Sequence, residues 1–543
     1  MYLEDKLTLT EKAIRTNHRY MLRNQKSTKI VINTMEITHL PKSIDPAGII
    51  TTGNGGSGIV QGTIFEEGYG KGLDIHLVLP EYTKIFRKNS KLSEKDFNDE
   101  YRKLLMHPNI HPIHDGLFEK AEKVYDDDSS YLSMINVRRA YNMTKGIISA
   151  AKELDLYYPD SYKLFQFNDW QTALGPAALR SNYCNIVTEL KWHGPHTVVR
   201  PLYKLNEHGL NTKDFHKDLF YPNGFPSEDH VTNMYYRDVD FLASGFLRAD
   251  QIDGVGYHIL EDALSWRLKD IGAMSEALNG MLVYRHHQHF DEVGTVANEP
   301  SRNANPEVDP LLEHKYGTSD IMEGKAINKI KFQKEMGLEI NPDAPIVYWP
   351  HRLTDPQKGT RLFLDTIDSL MTRFGNDNLQ IAFVADGEYI FTRWIEGLQQ
   401  KYAGRVAIRP FNNALSVLGK AAATTIMEPS LFEPRGYPQL EGPRYGTPAI
   451  VSRYVDGVIS YDKNPEYGNG WVFENFDQGG IHWSVGEAVQ FSKLPYEIKK
   501  RRLQWGREYN LKKHNVDKMI DSQVESWEKT LARRNQKLIL RAV

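Results

Sequence analysis

The chain has 543 residues, too many for one compact core, so two or more domains are expected. Apolar content of 40%, charged content of 25% and a formal net charge of −3 fit an ordinary globular protein, and give no reason to expect nucleic acid or an anionic membrane as partner. One cysteine, Cys184, excludes an intrachain disulfide framework and a thiolate metal cluster, and no run of about eighteen apolar residues is available to span a membrane.

In chain order, residues 1–27 read as a polar helical extension. They lack the apolar core of a secretory signal and carry acids that a transit peptide avoids, so a cytoplasmic protein is expected. "KIVINTMEI" (29–37) predicts a strand, "TTGNGGSGIVQGTIFEEGYGKG" (51–72) a glycine loop entering a helix, and "LDIHLVLPEY" (73–82) a second strand. Helices and short apolar strands alternate through "YNMTKGIISAAKEL" (141–154) and "SYKLFQFNDW" (161–170). Residues 293–317 have the Pro, Asn and acid content of a linker. A second alternating series runs from "APIVYWPHRL" (344–353) through "LQIAFVADG" (379–387) to "TTIMEPS" (424–430), and the tail from 496 is charged and helical. The predicted architecture is α/β: two Rossmann-like doubly wound domains, at 28–295 and 296–495, facing a cleft, followed by a helical tail at 496–543.

Three stretches carry chemistry. Gly53, Gly55, Gly56, Ser57 and Gly58 let a backbone approach a diphosphate closely, and the following helix directs free N–H groups at an anion; the alternative is a flexible surface loop. In "HRLTDPQKG" (351–359), Arg352 closes a strand and Lys358 precedes a helix. They are either solvated charges at element ends or cations converging on a departing phosphate. In "PSLFEPRGYPQLEGPRYGTPAIV" (429–451), Gly436 and Pro438 mark a helix start. Glu433 is then a helix-end acid or a ligand for sugar hydroxyls, and Glu441, about two turns on, a surface acid or a ligand for ribose. Two histidine groups, "HPNIHPIHD" (107–115) and "RHHQHFD" (285–291), read as polar loop histidines rather than a metal site.

Together with "FNDWQTAL" (167–174), the order and wording of these stretches resemble the glycogen and starch synthase family of retaining glycosyltransferases. The resemblance runs over nearly the whole chain from about residue 29. It implies a glycosyltransferase-B fold whose C-terminal helix crosses back to the first domain. It also implies transfer of a hexose, glucose first, from a nucleotide-sugar such as UDP- or ADP-glucose to a glucan or other glycan, with retention and without a metal or other cofactor. By residue it implies Arg352 and Lys358 on the leaving diphosphate and Glu433 on the donor sugar. Gly55, Gly56, Ser57, Gly436, Tyr437 and Glu441 fall on the donor side, and Asn168 and Asp169 on the acceptor side. Homo-oligomers are left open. The chain departs from the family where Gly53 replaces the glycine-loop lysine and Asn168 the histidine of "HDW". These departures motivate one alternative, a catalytically impaired relative acting as a binding or scaffold protein.

Overall fold

The computed structural model describes residues 28–53, 56–125, 134–180, 182–224 and 235–542, with side chains through residue 534. The expected extension at 1–27 and Gly55 lie outside the described residues. The rest groups into two units, one of residues up to Val255 with Leu260–Ala297 and Ile520 onward, the other of Gly256–Ile259 and Asn298–Met519.

The first unit is built on seven parallel strands. They are β1 (Thr28–Asn33), β2 (Ile75–Pro80), β3 (Ile110–Ile113), β4 (Tyr162–Asn168), β5 (Ile186–Trp192), β8 (Gln251–Gly254) and β9 (Val293–Thr295); β6 (Val199–Pro201) and β7 (Asp238–Asp240) form a separate antiparallel pair. Ile30, Val31 and Ile32 are almost wholly buried, as expected of a parallel strand covered on both faces. The spatial order is β3-β2-β1-β4-β5-β8-β9, so the order reverses between β1 and β4. In such sheets ligands collect at the carboxyl ends of the strands at that reversal. The glycine loop follows β1, and Asn168 ends β4.

Charged residues on two of these strands are buried and answered by the last helix, Val516–Ala542. Gln523 donates to Glu189 (2.8 Å) and Ser526 to Asp253 (2.6 Å). Burial first, and then the neighbouring Asp253 carboxylate, push the Glu189 carboxyl well above its ordinary range.

The second unit repeats the plan with β10 (Ile346–Trp349), β11 (Gln380–Val384), β12 (Val406–Arg409), β13 (Thr425–Glu428), β14 (Ala449–Ser452) and β15 (Gly470–Phe473). All pair in parallel, in the order β12-β11-β10-β13-β14-β15. The reversal lies between β10 and β13, the two strands whose trailing loops carry "HRLTDPQKG" and "PSLFEPRG". The doubly wound expectation therefore holds in each unit.

Two local readings are corrected. Residues 293–317 do not begin as linker: Val293–Thr295 pair with Ile252–Gly254 as an edge strand, which satisfies their backbone groups. The histidines are not loop residues throughout. His111 lies on β3, buried, with its ring 3.0 Å from the His76 nitrogen, while His286 and His287 close the helix Glu276–Gln288.

The loops after β10 and β13 are joined backbone to backbone. The Leu431 amide donates to the Gln357 carbonyl (2.8 Å). Gly359, at φ +63°, lies so close that an added Cβ would stand 2.2 Å from the Pro429 carbonyl oxygen. Gly359→Ala is therefore expected to cost about 1–2 kcal/mol from left-handed backbone alone, with more from the clash. A melting curve indistinguishable from the parent's would refute that close approach.

Candidate active site

The loop Pro350–Gly359 leaves β10 and delivers two cations to different environments. Arg352 is exposed, and among the described residues its guanidinium has no hydrogen-bond partner. Lys358 is 9% exposed and its ammonium pairs with the Glu433 carboxylate, which Ser430 also approaches (3.3 Å). Lys358 and Glu433 are thus brought together, while Arg352 stands apart from that pair. Glu441 ends the short helix Pro438–Glu441 and pairs with Lys420 at 2.5 Å. It is a half-buried, charge-compensated group rather than a solvated surface acid. Gly436 adopts φ +67°, and a Cβ there would stand 2.6 Å from the Gln439 side chain, so the turn depends on glycine. The Tyr437 side chain is partly exposed, but its hydroxyl is enclosed and has no partner among the described residues. Burial, followed by the Glu441 charge, raises the pKa of that hydroxyl, so it stays a neutral donor.

Two buried layers hold this loop, and neither stands out in the sequence pattern. Arg435 sits between Glu433 and Gly436 but faces inward. It donates to the Asn298 carbonyl (2.8 Å), Glu299 (2.7 Å) and Asp456 (2.7 Å), and lies 3.1 Å from His514 Nδ1. Its planar fork is what permits that many donors from one cation. The second layer is Glu428, the last residue of β13, with His351 Nδ1 4.0 Å from its Oε1. Glu428 is fully buried, and neither of its oxygens has a hydrogen-bond partner of normal geometry among the described residues. An acid in the otherwise uncharged run "TTIMEPS" was the available sign of it.

In the first unit, Gly56 and Ser57 open the helix Gly56–Gly70. Asn168 is buried inside a polar network. Its Oδ1 accepts from Gln61 (2.8 Å) and faces His193 Nε2 (3.1 Å), while its Nδ2 donates to the Asn33 carbonyl (3.0 Å). Burial pushes His193 down to about 3, so the ring is neutral and donates here. One N–H of the Asn168 amide is then left for another acceptor. Asp169 takes φ +54° and accepts the His193 backbone N–H (2.8 Å). Burial pushes its carboxyl up to about 7; the His193 bond opposes that shift. His114, read as a loop residue, stands at the end of β3 paired with Glu81, and Glu119 brings a third potential ligand atom within 4.8 Å of theirs.

Residues 52–266 match the family of starch synthase catalytic domains. The glycogen synthase of Clostridium perfringens (strain 13 / Type A) is 26% identical over 464 residues, covering 80% of this chain and 88% of that protein. The glycogen synthase of Geobacillus thermodenitrificans (strain NG80-2) is 26% identical over 455 residues, covering 81% and 88%. Among solved structures, the catalytic domain of starch synthase IV from Arabidopsis thaliana, bound to ADP and acarbose, matches with a TM-score of 0.69 at 18% identity, over 94% of this chain and 99% of that one. That likeness identifies the two parallel sheets as those of a glycosyltransferase-B fold. With the family match, the relatives and the fold in agreement, the chain is a glycogen/starch synthase-like glycosyltransferase.

Proposed function

We propose that the chain transfers a hexose, glucose first, from a nucleotide-sugar to a glucan or other glycan, with retention at the anomeric carbon and without a metal. The observation that carries this reading is the Lys358–Glu433 pair, held where β10 and β13 end, at the reversal of the second sheet. The ADP in the starch synthase IV structure supports a nucleoside diphosphate as the donor's leaving part. In the reaction the bond from the anomeric carbon to the phosphate oxygen breaks, and its electron pair leaves with the diphosphate. The acceptor hydroxyl forms the new bond on the same face of the sugar and passes its proton to the departing phosphate oxygen. Negative charge builds on the departing oxygens, where fixed cations contribute most.

Lys358 supplies a compact charge there and Arg352 a forked pair of donors. Glu433 accepts hydrogen bonds from donor-sugar hydroxyls, and its ionic contact with Lys358 fixes both groups before the donor arrives. In the second unit Glu441, the backbone at Gly436 and the Tyr437 hydroxyl, which has no partner among the described residues, serve the nucleotide side. In the first unit the glycine loop with Gly56 and Ser57 is proposed separately for the donor. On the acceptor side, the remaining Asn168 N–H meets a sugar hydroxyl, next to Asp169. A cytoplasmic setting accompanies this reading. Among the described residues no helix is long and apolar enough to cross a membrane.

Nucleotide release from UDP-, ADP- and GDP-glucose, with and without glycogen, tests the reading directly. Release from one donor that rises with glucan is expected; silence with every donor, and no donor raising the melting temperature, would favour the impaired alternative. With the active donor, Lys358→Ala or Glu433→Ala should lower kcat roughly 10²–10³-fold, the equivalent of about 3–4 kcal/mol. Each single change also strands a buried charge, at about 3–5 kcal/mol. The double variant, which removes both charges, should recover part of that stability and none of the activity. A double variant as active as the parent would refute the assignment.

A metal-free reaction makes a separate demand: turnover after exhaustive EDTA treatment should equal that of the untreated enzyme. Loss on chelation, restored by a divalent cation, would point to the Glu81, His114 and Glu119 group and overturn that part of the proposal.

A further inference from the structure

The reaction described above makes no use of Glu428, yet this carboxyl is placed where it must affect that reaction. It lies five residues before Glu433, fully buried at the end of β13, at the base of the loop that carries Glu433. Its surroundings are accounted for element by element. From the loop after β10 it meets His351, whose Nδ1 is 4.0 Å away, and the charge of Lys358. From its own loop it meets the charge of Glu433, from the short helix Pro438–Glu441 the Gln439 amide, and from the segment after β14 the charge of Asp456. His351 cannot serve as a counter-cation: burial, and then the Lys358 charge, hold its pKa well below the ordinary value, so the ring is neutral.

We propose that Glu428 is a positioning residue that governs Lys358 through its own protonation. Protonated, it leaves Lys358 balanced by the single carboxylate of Glu433, so that the ammonium can turn to the arriving diphosphate. Ionised, it adds a second buried negative charge that acts on the same lysine without pairing with it, and the ammonium is held back from the leaving group. This rests on the reading that Lys358 meets the diphosphate.

The protonated form is the one that prevails at neutral pH. Burial pushes the Glu428 carboxyl up to about 8; the Lys358 charge and the Gln439 backbone N–H act in the opposite direction, and the Glu433 and Asp456 charges add to the rise. The sign follows. As pH rises through that value the ionised form accumulates and transfer falls, while below it the protonated form persists and Glu428 imposes no loss.

The test compares kcat/KM for the active donor against pH in the unaltered chain, Glu428→Gln and Lys358→Ala, with an infrared pH titration of the unaltered chain alongside. In the unaltered chain kcat/KM should fall roughly tenfold per unit above its alkaline pKa. Glu428→Gln, neutral at every pH, should lose that limb or move it up by at least about one unit relative to its own maximum. A carboxylic-acid C=O band that disappears on the same alkaline limb should be present in the unaltered chain and reduced by one carboxyl in the variant, where the buried carboxyls Glu189 and Asp169 still absorb. If Gln does not fold, Met of similar volume makes the same comparison, and the infrared titration of the unaltered chain needs no variant. An unmoved alkaline limb in Glu428→Gln, or no such band in the unaltered chain, overturns the inference. Full activity in Lys358→Ala instead overturns the underlying assignment of Lys358, which separates the two failures.

Discussion

The ion pair between Lys358 and Glu433 is the constraint on which the proposed site of the second unit depends. Two charges that are each about nine-tenths buried are stable only if they face one another and are held there. Each comes from a different loop, so the two loops must be locked before the pair can form. The lock is mainly backbone: the Leu431 amide on the Gln357 carbonyl, and Gly359 pressed against Pro429. Ser452 adds a side-chain tie at 2.5 Å to the Ser430 carbonyl from the neighbouring strand. Because β10 and β13 are adjacent and parallel, residues 75 positions apart leave the sheet side by side at its order reversal.

Beneath that pair, the choice of arginine at 435 has a different purpose from the cations around it. Arg435 is spent entirely on the protein: two acids, a carbonyl and an imidazole nitrogen use its fork, which a lysine's three donors on one atom could not reach in several directions. Arg352 is the reverse case, exposed and unpartnered among the described residues. The same residue type therefore serves as scaffold in one loop and stands exposed in the other, where the proposed role on the diphosphate needs it.

This contrast explains how much could be read beforehand. Strand–helix alternation and the three motif stretches were legible, because buried parallel strands are near-continuous apolar runs and tight turns need glycine at fixed places. The pairing of Lys358 with Glu433 was not, since it depends on which strands are neighbours, a non-local fact. Arg435 was visible as a letter but not as an inward-facing hub, because its partners are spread from Asn298 to His514. His111 was misread because prolines at 108 and 112 suggested an open loop, whereas Ile110–Ile113 pairs with β2 as an edge strand, which tolerates proline. Glu428 left a trace, an acid at the end of a buried strand, whose meaning required knowing that no hydrogen-bond partner of normal geometry reaches it among the described residues.

The departure at Asn168 also gains a physical meaning from the geometry. Asn168 has two of its hydrogen-bonding directions committed to Gln61 and His193 and a third to Asn33, so it offers a ligand one N–H and no charge. His193 beside it is neutral, and Asp169 is held toward its protonated form by burial. The proposed acceptor-side residues therefore form a nearly uncharged, pre-arranged hydrogen-bonding surface. The positive charge among the proposed site residues lies in Arg352 and Lys358, on the loop after β10. The proposed transfer then depends on stabilising the departing diphosphate more than on charged groups at the acceptor. That is the arrangement in which the charge state around one lysine matters most.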